Sequence, residues 1–320
     1  MRTFIAAAFA AVASAELLTS EDYEFIRFVS KFNKRYATTE EFMARKTHFI
    51  NFFREMRALN EDYTVKSTHG LNKYSDNTPD EWKLMNGLKM RGRTDMQPVV
   101  YEGYEVPSSV DWRDAGCVNT IKDQGQCGSC WAFSATSALE TTSCVATGTL
   151  ESLSEQELVD CTLGYGNLAC HGGWYYQAWD YLIAGNTQET EANYPYTATR
   201  GSCVNNNSGN VTATSYSQVS GDPDSIRAAL SQTAQSVAIA AGNYYFQSYT
   251  GGILMDSSRC GSQLDHAVTA VGYGTENGTD YILVRNSWGG SWGEGGYVKM
   301  ELTTGTGTCG VNQMVYTVSV

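Results

Sequence analysis

The chain has 320 residues with 22 Lys/Arg against 34 Asp/Glu, a net charge of -12 at neutral pH. The imbalance is confined to residues 107–320, which hold 7 basic and 19 acidic side chains, whereas residues 1–106 carry 15 of each. The acidic part lacks the clustered Lys/Arg that phosphate contacts require, so no nucleic-acid partner is expected. All 9 cysteines and 27 of the 31 glycines also lie beyond residue 106. Two differently composed units meet there.

At the start, Arg2 precedes an apolar run from Phe4 to Val12 and then Ala13-Ser14-Ala15. A basic residue, a short apolar core and an A-x-A end describe a secretory signal peptide over residues 1–15. The run is too short to span a bilayer, so no stable membrane anchor is expected. The cysteines then meet an oxidising lumen in which disulfides persist. Three triplets fit glycosylation acceptors, beginning at Asn206, Asn210 and Asn277.

Phe25, Phe28, Val29, Phe32 and Tyr36 recur on one helical face, with Glu21 and Asp22 where the helix dipole favours acids. A second helix opens at Thr38-x-x-Glu41, a capping-box pattern. Its apolar stripe is Phe42, Phe49, Phe52, Phe53, Met56 and Leu59, and Glu41 and Arg45 are spaced for an ion pair. By itself this is a small, cysteine-free helical domain.

The most informative stretch runs Gln124-Gly125-Gln126-Cys127-Gly128-Ser129-Cys130-Trp131. A glycine-rich loop leads into a helix beginning near Ser129, so Cys130 sits at the positive end of the dipole, where thiolate is favoured over thiol. Cys127-x-x-Cys130 also admits a thiol–disulfide oxidoreductase, although no βαβ pattern surrounds it. Zinc would need a second C-x-x-C or H-x3-H pair, so neither metal nor cofactor is expected.

A thiol nucleophile needs a base, and residues 107–320 contain only His171 and His266. His266 opens a β-rich run and follows Cys130 by 136 residues. His171, beside Cys170 and two glycines, reads as a polar loop residue. Asn286, in Arg285-Asn286-Ser287-Trp288, supplies an amide oxygen able to hold the imidazole in one tautomer, and Trp288 would shield that bond from water.

Cys127-Gly128-Ser129-Cys130-Trp131 matches the C-G-[SA]-C-[WY] pattern of papain-like nucleophiles, and the order Cys130, His266, Asn286 matches as well. Val110-Asp111-Trp112-Arg113 resembles the start of the family's mature enzymes. Leu153-Ser154-Glu155-Gln156-Glu157-Leu158-Val159-Asp160-Cys161 and Cys170-x-Gly172-Gly173 continue the likeness. Glu41, Arg45, Phe49, Met56 and Asn60 resemble the interspersed pro-region helix motif, with Phe52 in place of its Asn and Met56 in place of its Ile. Gly70-x-Asn72-x-Tyr74-x-Asp76 resembles the second pro-region motif. The chain thus resembles the cathepsin L-like branch of the papain family over nearly its whole length.

The resemblance implies an α+β, papain-like two-domain fold: a helical half with Cys130 and a β-barrel-like half with His266 and Asn286. A helical pro-domain precedes it. The divisions expected are signal peptide 1–15, inhibitory pro-region 16–106 and catalytic domain 107–320, with the pro-region threading the cleft in reverse. Cys130 and His266 would face each other as thiolate and imidazolium, and Gln124 with the Cys130 N–H would receive the oxyanion.

Gly172 and Gly173 would pair with substrate backbone. Trp174, Tyr175, Ala238, Ala267 and Met314 would line an uncharged pocket for the residue two before the cut, with Asp265 and Trp288 as further cleft residues. The implied bridges are Cys127–Cys170, Cys161–Cys203 and Cys260–Cys309; a fourth between Cys117 and Cys144 is a hypothesis outside those three. Expected partners are protein and peptide substrates and the chain's own pro-region, with the enzyme a monomer in a lysosome, a vacuole or outside the cell. Protonation of pro-region carboxylates such as Asp76 would loosen docking. A catalytically silent homologue and an exopeptidase are the alternatives; the latter lacks the paired histidines of the carboxydipeptidase branch.

Overall fold

The computed structural model describes residues 18–88 and 96–320; the expected signal peptide lies outside the described residues. The first helices are α1 (Ser20–Lys31) and α2 (Thr39–Glu61). Phe25 and Phe28 of α1 meet Phe49 of α2 in a small aromatic core of their own. The helix starts differ from the expected caps. Thr19 and Asp22 form a full capping box on α1. On α2, Thr38 accepts from Glu41 N–H, but the Glu41 carboxylate reaches past it to the N–H of Ala37. The expected Glu41–Arg45 pair is a loose 3.8 Å contact. Arg45 instead gives its guanidinium fork to Glu81 and one N–H to the Asp76 carbonyl, because a planar bidentate partner holds it better than a helix neighbour.

A short strand β1 (Thr68–His69) and helix α3 (Pro79–Met85) complete this unit. After β2 (Val110–Asp111), the helices α4 (Cys130–Thr147), α5 (Glu155–Cys161) and α6 (Tyr175–Ile183) pack together as one layer. β3 (Ser215–Val219), α7 (Pro223–Leu230), β4 (Gln235–Ile239), α8 (Tyr244–Gln247), β5 (Tyr249–Gly251), β6 (Ile253–Leu254) and α9 (Ser257–Cys260) follow. The chain ends in β7 (His266–Glu276), β8 (Thr279–Arg285), β9 (Tyr297–Glu301) and β10 (Val315–Ser319). The main sheet runs β3-β10-β4-β7-β8-β9-β6, with β2 paired to β7. Its centre, β4 against β7, is antiparallel with Ile239 opposite His266. Nearly continuous Val, Ala and Ile let these strands bury both faces between the helical layer and the sheet's own core.

The N-terminal unit is not a detached appendage. β1 pairs with β5 of the larger unit. Phe52, Met56, Tyr74, Trp82 and Met85 belong to the same apolar cluster as Phe246, Trp288 and Trp292. Each such large side chain contributes ~1.5–3 kcal/mol when removed from water. Asn72 and Tyr74 serve this contact, whereas Asp76 ties the N-terminal unit together. Asn72 donates to the Gln247 carbonyl at 2.8 Å, Tyr74 hydroxyl to Asp123 at 2.9 Å, and Asp76 holds Lys34 at 2.6 Å and Tyr36 at 2.9 Å.

Candidate active site

The loop from Gln124 to Ser129 is tied down by the Cys127–Cys170 bridge and delivers the chain into α4. Cys130 is the first helical residue and the only cysteine outside a disulfide among the described residues. Across the cleft, β7 begins at His266, and the next N–H, that of Ala267, points to the Cys130 sulfur at 3.5 Å. Asn286 follows the end of β8, which is pinned by Arg285: its guanidinium donates to Ser137 hydroxyl at 2.7 Å and Thr120 carbonyl at 2.6 Å. The Asn286 amide oxygen accepts from His266 Nε2 at 2.8 Å and from Ser287 N–H at 2.8 Å. With Nε2 as the donor, Nδ1 is the unprotonated nitrogen; it is buried and has no hydrogen-bond partner among the described residues. Trp288 covers the ring at 4.9 Å between centroids.

Gln124 is held on all its polar groups. Its backbone N–H donates to Ser287 carbonyl at 2.9 Å, and its backbone carbonyl accepts from Tyr196 hydroxyl at 2.9 Å. Its Oε1 accepts from Ser287 hydroxyl at 2.6 Å, and its Nε2 donates to Cys127 carbonyl at 2.8 Å. The second Nε2 hydrogen goes to the carbonyl of Met85, also at 2.8 Å. That partner belongs to the N-terminal unit.

Residues 85–88 lie across Cys130. Gly87 carbonyl accepts from Gly173 N–H at 3.0 Å, and Leu88 N–H donates to Asp265 carbonyl at 3.0 Å. Gly87 N–H points to the Cys130 sulfur. The approach is so close that a Cβ on Gly87 would meet the Gly128 carbonyl oxygen at 2.1 Å, and one on Gly173 would meet Asn167 Oδ1 at 2.1 Å. Glycine is required at both points. Above this clamp, Trp82 packs on Trp288 at 5.3 Å and on Phe52 at 6.4 Å, extending an aromatic ladder down to His266.

Leu88 is buried in one apolar cluster with Trp174, Tyr175, Ala238 and Ala267, and Met314 packs against its edge. Tyr175 hydroxyl is spent on the Met314 carbonyl at 2.7 Å, so the ring turns only carbon toward its neighbours. Gly172 shapes the preceding turn, with its carbonyl accepting from Leu168 N–H at 2.7 Å. Asp265 carboxylate takes Ala241 N–H at 2.7 Å and Asn86 amide at 3.2 Å. His171 is exposed on a short 3-10 turn, whereas Cys130 and His266 are fully buried.

Cover by residues 85–88 works against the charged forms of the pair. Burial pushes the Cys130 thiol up to about 12 and the His266 imidazole down to about 4. Both shifts favour the uncharged forms, thiol and neutral imidazole, while the pair is covered. Residues 85–88 remove the water that would solvate the ions, and desolvation outweighs the helix dipole.

Disulfides join Cys117–Cys144, Cys127–Cys170, Cys161–Cys203 and Cys260–Cys309. Asn206, Asn210 and Asn277 are exposed. Among the described residues no group of three or more His, Cys, Asp or Glu is placed to hold a metal, and no helix is long and apolar enough to cross a membrane. Sequence reasoning missed Tyr196, Ser287 as a partner of Gln124, and His69. None carries a local pattern; each acts through a contact distant in the chain.

A family profile described as "Papain family cysteine protease" matches residues 106–319, and one described as "Cathepsin propeptide inhibitor domain" matches residues 25–82. The oryzain beta chain of Oryza sativa subsp. japonica is 44% identical over 252 residues, 76% of this chain and 54% of that protein. The chain therefore spans about half the length of that relative. Cysteine protease XCP2 of Arabidopsis thaliana is 39% identical over 302 residues, 91% of this chain and 84% of that one. The structure of digestive procathepsin L 3 from Tenebrio molitor larval midgut superimposes with a TM-score of 0.85 at 33% identity, covering 95% of this chain and 100% of that chain. The chain belongs to the papain family of cysteine proteases and carries its cathepsin-type propeptide inhibitor domain.

Proposed function

We propose that the chain is the inactive precursor of a cysteine endopeptidase, with signal peptide 1–15, inhibitory pro-region 16–106 and catalytic domain 107–320. The observation that carries this reading is the clamp of residues 85–88 over Cys130, with Met85 carbonyl on the Gln124 amide. Once the segment leaves, one Nε2 hydrogen of Gln124 is free for the carbonyl oxygen of a substrate, beside the sulfur that attacks its carbon.

Cys130 forms the thioester, and His266 carries the proton to the departing amine. Asn286 keeps the imidazole oriented through Nε2, and water then hydrolyses the thioester. The pair at Gly173 and Leu88 is parallel, so a substrate running the opposite way would pair antiparallel at the same edge. Leu88 among Trp174, Tyr175, Ala238, Ala267 and Met314 favours apolar side chains two residues before the cut and disfavours Arg. Trp174 and the bulky Tyr175 favour Leu or Val over Phe.

The enzyme acts as a monomer on protein and peptide chains, without cofactor or nucleic acid. It matures in the secretory pathway, in a lysosome, a vacuole or outside the cell. Acid promotes release of the pro-region, and the new N-terminus lies near Val106 or Pro107. Acid activation of the purified precursor, beside Cys130→Ala, followed by N-terminal sequencing tests nucleophile and boundary together. A Cys130→Ala precursor that still processes itself and cleaves peptides would overturn the reading.

A further inference from the structure

Tyr196 lies on the segment after α6, far in sequence from both Gln124 and Cys130, yet its hydroxyl touches the loop that joins them. It is 2.9 Å from the Gln124 backbone carbonyl and 2.6 Å from Ser129 Oγ. The phenol has one hydrogen and the carbonyl can only accept, so Tyr196 donates to Gln124 and accepts from the Ser129 hydroxyl. Donors and acceptors thus run one way, Ser129 to Tyr196 to Gln124, an arrangement in which each bond polarises the next.

Ser129 is fully buried and precedes the nucleophile; at the head of α4 its hydroxyl makes no capping bond, the usual use of a serine there. The ring is fixed edge-on to Phe133 at 4.9 Å, and Tyr196 N–H is held by Glu191 at 2.8 Å. A single phenol therefore ties together the two pieces of backbone that carry the expected oxyanion donors: Gln124, whose amide is aimed inward, and the start of α4, which presents the Cys130 N–H.

We infer that Tyr196 is a positioning residue for the oxyanion hole, setting the spacing of its two donors without touching substrate. The inference rests on the reading of Gln124 and Cys130 N–H as those donors. It predicts a separation of two chemistries at one sulfur. Alkylation by iodoacetamide requires the nucleophile but no oxyanion site, whereas hydrolysis of a peptide amide requires both.

The test uses the acid-activated enzyme as wild type, Tyr196→Phe, Ser129→Ala and Gln124→Ala. Three quantities are measured: kcat and KM on a fluorogenic dipeptidyl amide with Leu two residues before the cut, the pH profile of iodoacetamide alkylation, and affinity for a peptidyl aldehyde. Tyr196→Phe, which removes only the hydroxyl, is expected to lower kcat about tenfold, as loss of one buried hydrogen bond does. Aldehyde affinity should fall alongside it, with KM and the alkylation profile within about twofold of wild type, a margin well below the ~tenfold effect expected of a lost hydrogen bond. Ser129→Ala, which keeps the bond to Gln124, should show the same pattern more weakly and serves if Tyr196→Phe does not fold.

Alkylation falling in parallel with kcat would overturn the proposal, since the hydroxyl would then be supporting the nucleophile or the fold. Unchanged kcat in Tyr196→Phe beside a fall in Gln124→Ala would also overturn it, leaving the oxyanion reading intact. Unchanged kcat in Gln124→Ala would overturn that underlying reading itself.

Discussion

His69 offers a proton-driven weak point in the docking of the pro-region. It sits in β1, which pairs with β5, and Asn60 fixes its backbone from both sides. Its ring lies between Ser67 Oγ and Ser248 Oγ, each at 2.9 Å, and against the ring of Tyr245. Ser248 hydroxyl is committed to the Tyr244 carbonyl at 2.6 Å, so it accepts from Nδ1–H, and Nε2 accepts from Ser67. The charged group facing it is Arg259 of α9, itself paired with Asp62 and Asp256. Burial first, then Arg259, bring His69 from 6.5 down to about 4.

The released pro-region therefore binds more protons than the docked one between these values. Docking is fully supported above pH 6.5, weakens as pH falls and has lost this contribution near pH 4. The gap of roughly 2.5 units amounts to about 3 kcal/mol, a factor of ~100 or more in the docking equilibrium. His266, also down to about 4 under the clamp, acts in the same direction. Asp265, raised by burial to about 6, opposes both, because its covered carboxyl holds a proton more tightly than a solvated one.

Comparing His69→Gln with its parent isolates one group from the three. Both would be made on a Cys130→Ala precursor, so that nothing is cleaved. Undocking would be followed by tryptophan emission, which senses Trp82 leaving Trp288, in urea at several pH values. Relative to their difference at pH 7.5, the parent should lose about 3 kcal/mol more docking stability than the variant by pH 4. Parallel curves down to pH 4 would refute the reasoning.

Gly87→Ala places a methyl against the Gly128 carbonyl, so the segment must rise off Cys130; peptidase activity of the uncleaved precursor at neutral pH should increase by tenfold or more, on the order of 1.4 kcal/mol of lost docking. Arg45→Ala takes the guanidinium from the half-buried Glu81 carboxylate, which keeps only the Thr78 N–H, and from the Asp76 carbonyl. The N-terminal unit should weaken by about 2 kcal/mol, seen as undocking at lower urea. Replacing Cys117 and Cys144 together by serine opens a link across 27 residues. That should reduce unfolding stability by about 3 kcal/mol while kcat of the activated enzyme stays the same, because neither sulfur reaches the cleft.

Cys130, His266, Gln124 and Asn286 are legible in the sequence because few alternatives exist: two histidines in the acidic part, and three cysteines outside the implied bridges, of which Cys130 alone stands in the C-G-[SA]-C-[WY] pattern. The pro-region helices are legible because their aromatics repeat at helical spacing. The capping oxygen of Glu41 reaching Ala37, and Arg45 choosing Glu81 over Glu41, are not. Local spacing shows which partners are possible, and tertiary geometry decides among them. β1 is two residues long and has no periodicity to read, so His69 is silent until its partner strand is known. The shifts of Cys130 and His266 toward their uncharged forms are equally hidden, since they depend on burial.

The segment over Cys130 is gripped mainly by groups that every polypeptide has: the carbonyls of Met85 and Gly87 and the N–H of Leu88. Side chains add to this grip through Leu88 in its apolar cluster, Asn86 on the Asp265 carboxylate and the buried Met85. A cleft built in this way ignores most of a protein's chemistry and asks first whether a stretch of main chain has its hydrogen bonds free. Folded strands and helices have already spent theirs. For the proposed endopeptidase the expected sorting is by conformation, with unfolded chains and frayed loops cleaved before compact domains of the same composition.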